Sequence, residues 1–156
     1  MSYQNFEKAL EKAQKCKYYT TISGTDDLTI KKSEKMLELE FSRQLIEFYK
    51  SYGYISFDGN EIFGIDPDDD SGILEGNSVL YALNDREEYG LSPKWVPIYT
   101  YGDGMMAYLD YSDINNSGEP RVVMAYYDGS KYIIEKVVAE DFGDFLYDLV
   151  NSCETE

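Results

Sequence analysis

The sequence predicts one α+β domain: a mainly antiparallel sheet flanked by N-terminal helices and a C-terminal helix. Three observations carry that reading. Up to Gly53 apolar residues recur at spacings of three and four, the period of a helix. From Tyr54 onward they shorten into β runs separated by Gly, Asn and Asp turns. Helical spacing returns only after Asp141. Helices lead, strands fill the middle and a helix closes, which is the α+β arrangement. No repeat or linker divides the chain, so residues 1–156 are expected to form a single domain.

Tyr3, Phe6, Leu10 and Ala13 form the apolar stripe of a first helix over about Ser2–Lys15, with Glu7, Lys8, Glu11, Lys12 and Lys15 on its wet side. Ser23-Gly-Thr-Asp-Asp27 is a loop and a helix start, and Ile30, Ser33 and Leu37 mark a short second helix. Ser42 is placed to cap a third, with Leu45, Phe48, Tyr49 and Tyr52 as its buried stripe and Gly53 as its stop. Tyr54–Phe57 and Glu61–Gly64 flank Asp58-Gly59-Asn60, a hairpin signal. Asp66 to Asn77 reads as an acidic loop, and Val79, Leu80 and Leu83 as a fourth helix ending near Gly90. Trp95–Tyr99 is a strand that Pro97 pushes toward an edge or a bulge. Gly102-Asp-Gly104 turns the chain into Met106–Asp110, and Asn115–Pro120 is another turn. Arg121–Tyr126 and Lys131–Glu135 flank Asp128-Gly129 as a second hairpin. Asp141 caps the last helix, whose stripe is Phe142, Phe145, Leu146, Leu149 and Val150.

Composition narrows the function classes. The chain has 156 residues, 43% hydrophobic and 15% aromatic, with 16 Tyr, enough for a proper core. Its charge is lopsided. Residues 1–53 hold nine Lys/Arg and eight Asp/Glu, a net of +1; residues 54–156 hold five and twenty-two, a net of −17. Between Tyr54 and Leu91, ten acids face one base, Arg86. Such a surface disfavours nucleic acid and anionic membranes as direct partners and favours a basic protein. Cys16 and Cys153 meet only if the chain ends do, and two thiols make no disulfide framework. The start of the chain has no apolar core of a secretory signal, and no apolar run reaches the roughly 20 residues of a membrane span. A cytoplasmic protein is the expectation.

Histidine is absent, which removes the commonest general base and metal ligand. Asp66, Asp68 and Asp70 have the one-three-five spacing of a calcium loop, but Ser71 stands at the glycine position and Asn77 at the twelfth, where a bidentate Glu belongs. The loop therefore reads as solvated acid. No carboxylate pair or nucleophile–base pair marks a catalytic site, so no catalytic, cofactor or metal residue is assigned and the chain is expected not to be an enzyme. The cluster Tyr99, Tyr101, Tyr108 and Tyr111 reads as half-buried sheet, with Tyr99 and Tyr101 on one face and Tyr108 and Tyr111 opposed; Tyr beside carboxylates also suits a protein interface.

From residue 30 onward an ordered set of short segments is present: Ser33-Glu34, Leu37-Glu-Leu-Glu-Phe41, Leu45-Ile-Glu-Phe-Tyr49 and Tyr52-Gly53, then Glu61-Ile-Phe-Gly64. Val96-Pro-Ile98 with Gly102-Asp-Gly104 and Tyr108-Leu-Asp110 follows, and then Ala139–Leu146. In order and spacing these segments resemble the SUKH superfamily, which includes bacterial toxin-immunity proteins and a fungal cell-wall regulator. Ser42 departs from the family's usual proline, although a Ser cap starts the same helix. The resemblance implies one SUKH-like domain and a protein that binds and blocks a cognate toxin, commonly a nuclease, without catalytic residues. Together with the charge, it places the expected partner surface on Asp66, Asp68, Asp69, Asp70, Glu75, Asp85, Glu87 and Glu88, with Tyr101 and Asp103 in the following turn. The expected partner is a basic toxin domain, and the protein itself a monomer or weak dimer. A regulatory scaffold like the fungal relatives is the alternative, and a small carboxylate hydrolase a more remote one.

Overall fold

Short strands joined by tight turns in the middle of the chain build one seven-stranded sheet in the order β1-β2-β3-β4-β5-β6-β7. The computed structural model describes residues 2–65 and 77–153. Its strands are β1 (Thr20–Ser23), β2 (Tyr52–Phe57), β3 (Asn60–Phe63), β4 (Trp95–Thr100), β5 (Met106–Ile114), β6 (Pro120–Tyr127) and β7 (Tyr132–Ala139). Its helices are α1 (Ser2–Ala13), α2 (Asp27–Leu37), α3 (Arg43–Ser51), α4 (Ser78–Tyr89) and α5 (Phe142–Asn151). Each strand pairs antiparallel with its sequence neighbour; α2 and α3 lie between β1 and β2, and α4 between β3 and β4. This is the α+β architecture that the sequence predicts.

The β2–β3 hairpin turns on Asp58 (φ 49°) and Gly59 (φ 81°), both left-handed as a two-residue hairpin requires. Pro97 marks a bulge rather than an edge: β4 lies between β3 and β5, and its register with β5 shifts between Pro97 and Tyr99. The shift has a large consequence. Pro97 pairs with Tyr108, whereas Tyr99 pairs with Ala107. Trp95 and Pro97 therefore share the face of Tyr108, and Tyr99 is turned to the other.

On that other face α5 lies with α1. Tyr99 packs edge-on against Phe145 of α5 (5.7 Å), and Phe142 sits between Phe6 (6.0 Å) and Phe48 (5.1 Å). Asp141, fully buried, caps α5 by accepting from the Asp144 amide (2.8 Å) and from Gln44 Nε2 (3.3 Å); Gln44 Oε1 in turn accepts from the Gly143 amide (2.7 Å). The chain ends do meet. Cys16 and Cys153 are neighbours and both are free; their thiols donate to the carbonyls of Lys12 (3.7 Å) and Leu149 (3.1 Å). Burial, and Cys16 beside it, push the Cys153 thiol up to about 11.

Three local expectations are corrected and one strand is added. The strand β1 had no signal: all four of its residues are exposed, so no alternation marks it. Gly53 does not stop α3 but lies inside β2, where a Cβ would come within 2.7 Å of the Ser23 carbonyl oxygen on the neighbouring strand; close backbone approach, not a helix end, requires it. Ser42 stands at the start of α3 without a side-chain cap; its hydroxyl meets Tyr111 Oη instead (3.1 Å). In α4 the buried residues are Ser78, Val79, Ala82 and Asp85, while Leu80 and Leu83 are half-buried. Among the described residues no helix is long and apolar enough to cross a membrane.

Candidate functional site

The face of the sheet opposite α5 carries α4, and the space between them is a cleft. Asn77 caps α4 by accepting from the Val79 and Leu80 amides (both 3.1 Å), and the Ser78 amide donates to the Gly64 carbonyl (2.9 Å). The helix start is thereby tied to the end of the β2–β3 hairpin. From there Tyr81, Asp85 and Tyr89 follow at four-residue intervals, which puts them on one stripe. That stripe lines two adjoining hollows of about 480 and 490 Å³. Glu61, Phe63 and Thr100 close the first; Met106, Tyr108, Tyr127 and Tyr132 of the sheet face the second.

The cleft walls are aromatic. Trp95 lies 5.1 Å from Tyr108, Tyr108 6.1 Å from Tyr132, and Tyr132 5.3 Å from Tyr127. Tyr127 reaches across to Tyr89 on the helix (5.0 Å), and Tyr81 stacks on Phe63 (5.6 Å, 15°). Burial, with Asp85 among the nearby groups, pushes the Tyr108 and Tyr132 hydroxyls up. They stay protonated throughout the neutral range.

Asp85 is the polar centre of the cleft. It is 6% exposed, and its carboxylate accepts from Asn84 Nδ2 (3.1 Å). Burial pushes its carboxyl up, opposed by that amide. It makes no ion pair among the described residues. Its sequence neighbour Arg86 gives its guanidinium to the Pro93 carbonyl (2.7 Å).

The expected partner surface is thus redistributed. Asp85 is not an exposed carboxylate: its place on the inward stripe of α4 buries it at the floor of the cleft. Glu87 and Glu88 are exposed in the last turns of α4; Glu88, three residues beyond Asp85, lies on the cleft side, and Glu87, two beyond, points away. Asp103 is exposed in the turn whose Gly102 and Gly104 edge the cleft, and it accepts from the Met105 amide (3.1 Å). Tyr101 is half-buried, edge-on to Tyr99 at 4.9 Å. The structure brings Asp85 and the Asp103 turn to one cleft. Asp66, Asp68, Asp69, Asp70 and Glu75, with the calcium-like spacing, lie outside the described residues.

Of the expected tyrosine cluster only Tyr108 faces the cleft. Tyr99 belongs to the α5 side, as the bulge dictates, and Tyr111 Oη accepts from the Ser42 amide (3.0 Å). Tyr81, Tyr89, Tyr127, Tyr132 and Glu61 were not singled out. The four-residue spacing of Tyr81, Asp85 and Tyr89 was the available signal for the helix side; nothing local marks Tyr127 and Tyr132, which meet the others only across the sheet.

A search of curated proteins finds no significant relative. A family model described as SMI1-KNR4 cell-wall, SUKH_5, matches residues 6–151. That match takes in every strand and nearly all of the five helices. The chain belongs to the SUKH family.

Proposed function

We propose that this protein is an immunity protein: it binds a basic toxin domain, commonly a nuclease in this superfamily, and neutralises it by occupying its cationic surface. The carrying observation is the aromatic cleft with Asp85 at its floor, Glu61 in its lining and the Asp103 turn at its edge, set in a C-terminal two-thirds of net charge −17. Aromatic rings supply the buried contact area that sets off-rates, and the margin carboxylates steer association, up to about 10⁸ M⁻¹s⁻¹ at low salt. The action is binding rather than catalysis, since the sequence holds no histidine and no nucleophile–base pair. Nucleic acid and membranes are not direct partners on this reading.

The test is real-time binding to toxin domains encoded beside the gene, at low and high salt. The expected result is salt-sensitive association that slows when Glu88→Lys and Asp103→Lys are combined. Binding indifferent to both salt and charge reversal overturns the electrostatic mechanism. A second reading has one observation in its favour, the cell-wall description of the matching family model: a scaffold that docks a regulatory partner. An upstream gene for a toxin with a variable C-terminal domain favours immunity over that reading.

A further inference from the structure

We propose that the cleft under α4 is a slot for one arginine side chain of the partner, its guanidinium held on the Asp85 carboxylate between the rings of Tyr81, Tyr89, Tyr108 and Tyr132. This rests on the binding reading above and names the group bound.

The first argument is the state of Asp85. A carboxylate offers about four acceptor positions, and here one neighbouring amide fills one of them. At 6% exposure it is largely out of water. A buried carboxylate without a cation is expensive, and folded chains retain such groups chiefly where a ligand completes them. The charge is not needed for the fold: α4 has its own cap at Asn77, and Arg86 is engaged elsewhere.

The second argument is the wall chemistry. Tyrosine faces attract cations, and five tyrosines line the two hollows that Asp85 shares. The raised hydroxyls of Tyr108 and Tyr132 do not ionise and so do not compete as anions. A guanidinium matches this setting better than an ammonium. It is planar, stacks on rings, is weakly hydrated and meets a carboxylate through two parallel N–H donors. Charge complementarity also selects a cation, since Glu61 lines the first hollow and Asp103 stands in the turn that edges the second. Lys131 lines a separate hollow beyond Tyr89 and Tyr132.

The experiment is NMR of the tyrosine ring signals of the whole chain, titrated with N-acetyl-arginine methylamide, its lysine counterpart and its uncharged citrulline counterpart. The arginine compound is expected to move Tyr81, Tyr89, Tyr108 and Tyr132. Citrulline should bind at least about tenfold more weakly, and D85N should weaken the arginine compound about tenfold, the loss of a charged hydrogen-bonded contact. Glu11→Gln, on the wet side of α1, leaves it unchanged. Thermal unfolding confirms that D85N is folded. Tyr89→Ala supplies a second variant, since Tyr89 is 47% exposed and its loss spares the core. Equal binding by D85N, equal binding by the lysine compound, or no movement of these four rings overturns the proposal. If the rings stay still while toxin binding remains salt-sensitive, the slot falls and the immunity reading stands. If the slot binds arginine and no neighbouring toxin is captured, the immunity reading falls alone.

Discussion

Two buried aspartates lie on opposite sides of the same sheet and are provided for differently. Asp141, on the α5 side, is fully buried and accepts from a helix amide and from Gln44. Asp85, on the α4 side, is buried to nearly the same degree and has one side-chain amide. The surroundings differ in the same way. Beside Asp141 the chain packs Gln44, the buried Glu119 and the ring of Phe142; around Asp85 tyrosines leave a cleft. A fold can satisfy a buried carboxylate completely when it needs only a cap. Where one is left short of partners in an aromatic hollow, the missing partner is sought outside the chain.

That comparison can be broken at either end. The largest loss belongs to the α5 side: Phe142→Ala, removing a fully buried ring between Phe6 and Phe48, is expected to cost about 4 kcal/mol in urea unfolding. Next, Asp141→Ala removes a cap and strands the buried amide of Gln44; a loss of about 3 kcal/mol is expected, and a loss under about 1 kcal/mol would remove the contrast. Asp85→Asn goes the other way, with stability unchanged or raised by up to about 1 kcal/mol.

The sign of the Asp85 effect with pH sharpens the point. Burial holds its folded value above its unfolded one, so the unfolded chain gives up this proton first. Below the usual carboxylate range, about 4, the group is neutral in both states and costs nothing. As pH rises from there to the raised folded value, stability falls, and the cost persists above it. Unfolding free energies measured across that window for the parent and D85N should therefore diverge with rising pH; parallel curves would show that Asp85 is already satisfied. The smallest effect is expected at Glu88→Gln, exposed in the last turns of α4: within about 0.5 kcal/mol in stability, with the change appearing in the salt dependence of partner binding.

Much of this was legible locally. The hairpin at Asp58-Gly59, the Asp141 cap and the end of α4 at Gly90 follow from residues whose backbone or hydrogen-bonding preferences act within a few positions. The strand β1 was not legible because its side chains are all exposed and only its backbone pairs with β2. The burial of Asp85 was not legible because an acid in an acidic stretch looks like a surface charge. Of the expected apolar set Val79, Leu80 and Leu83 only Val79 is buried, and Ala82 and Asp85 complete the inward stripe.

By itself the sequence determined the α+β architecture, the position of nearly every helix and turn, and a C-terminal two-thirds rich in unbalanced acid, because periodicity, caps and net charge are written along the chain. The cleft was decided only by tertiary structure. Its two walls come from α4 and from strands β3 to β7, far apart in sequence, and the bulge after Pro97 determines which face Tyr99 joins. Which carboxylate is buried and left short of partners depends on what the fold lays against it, and no local pattern of residues carries that information.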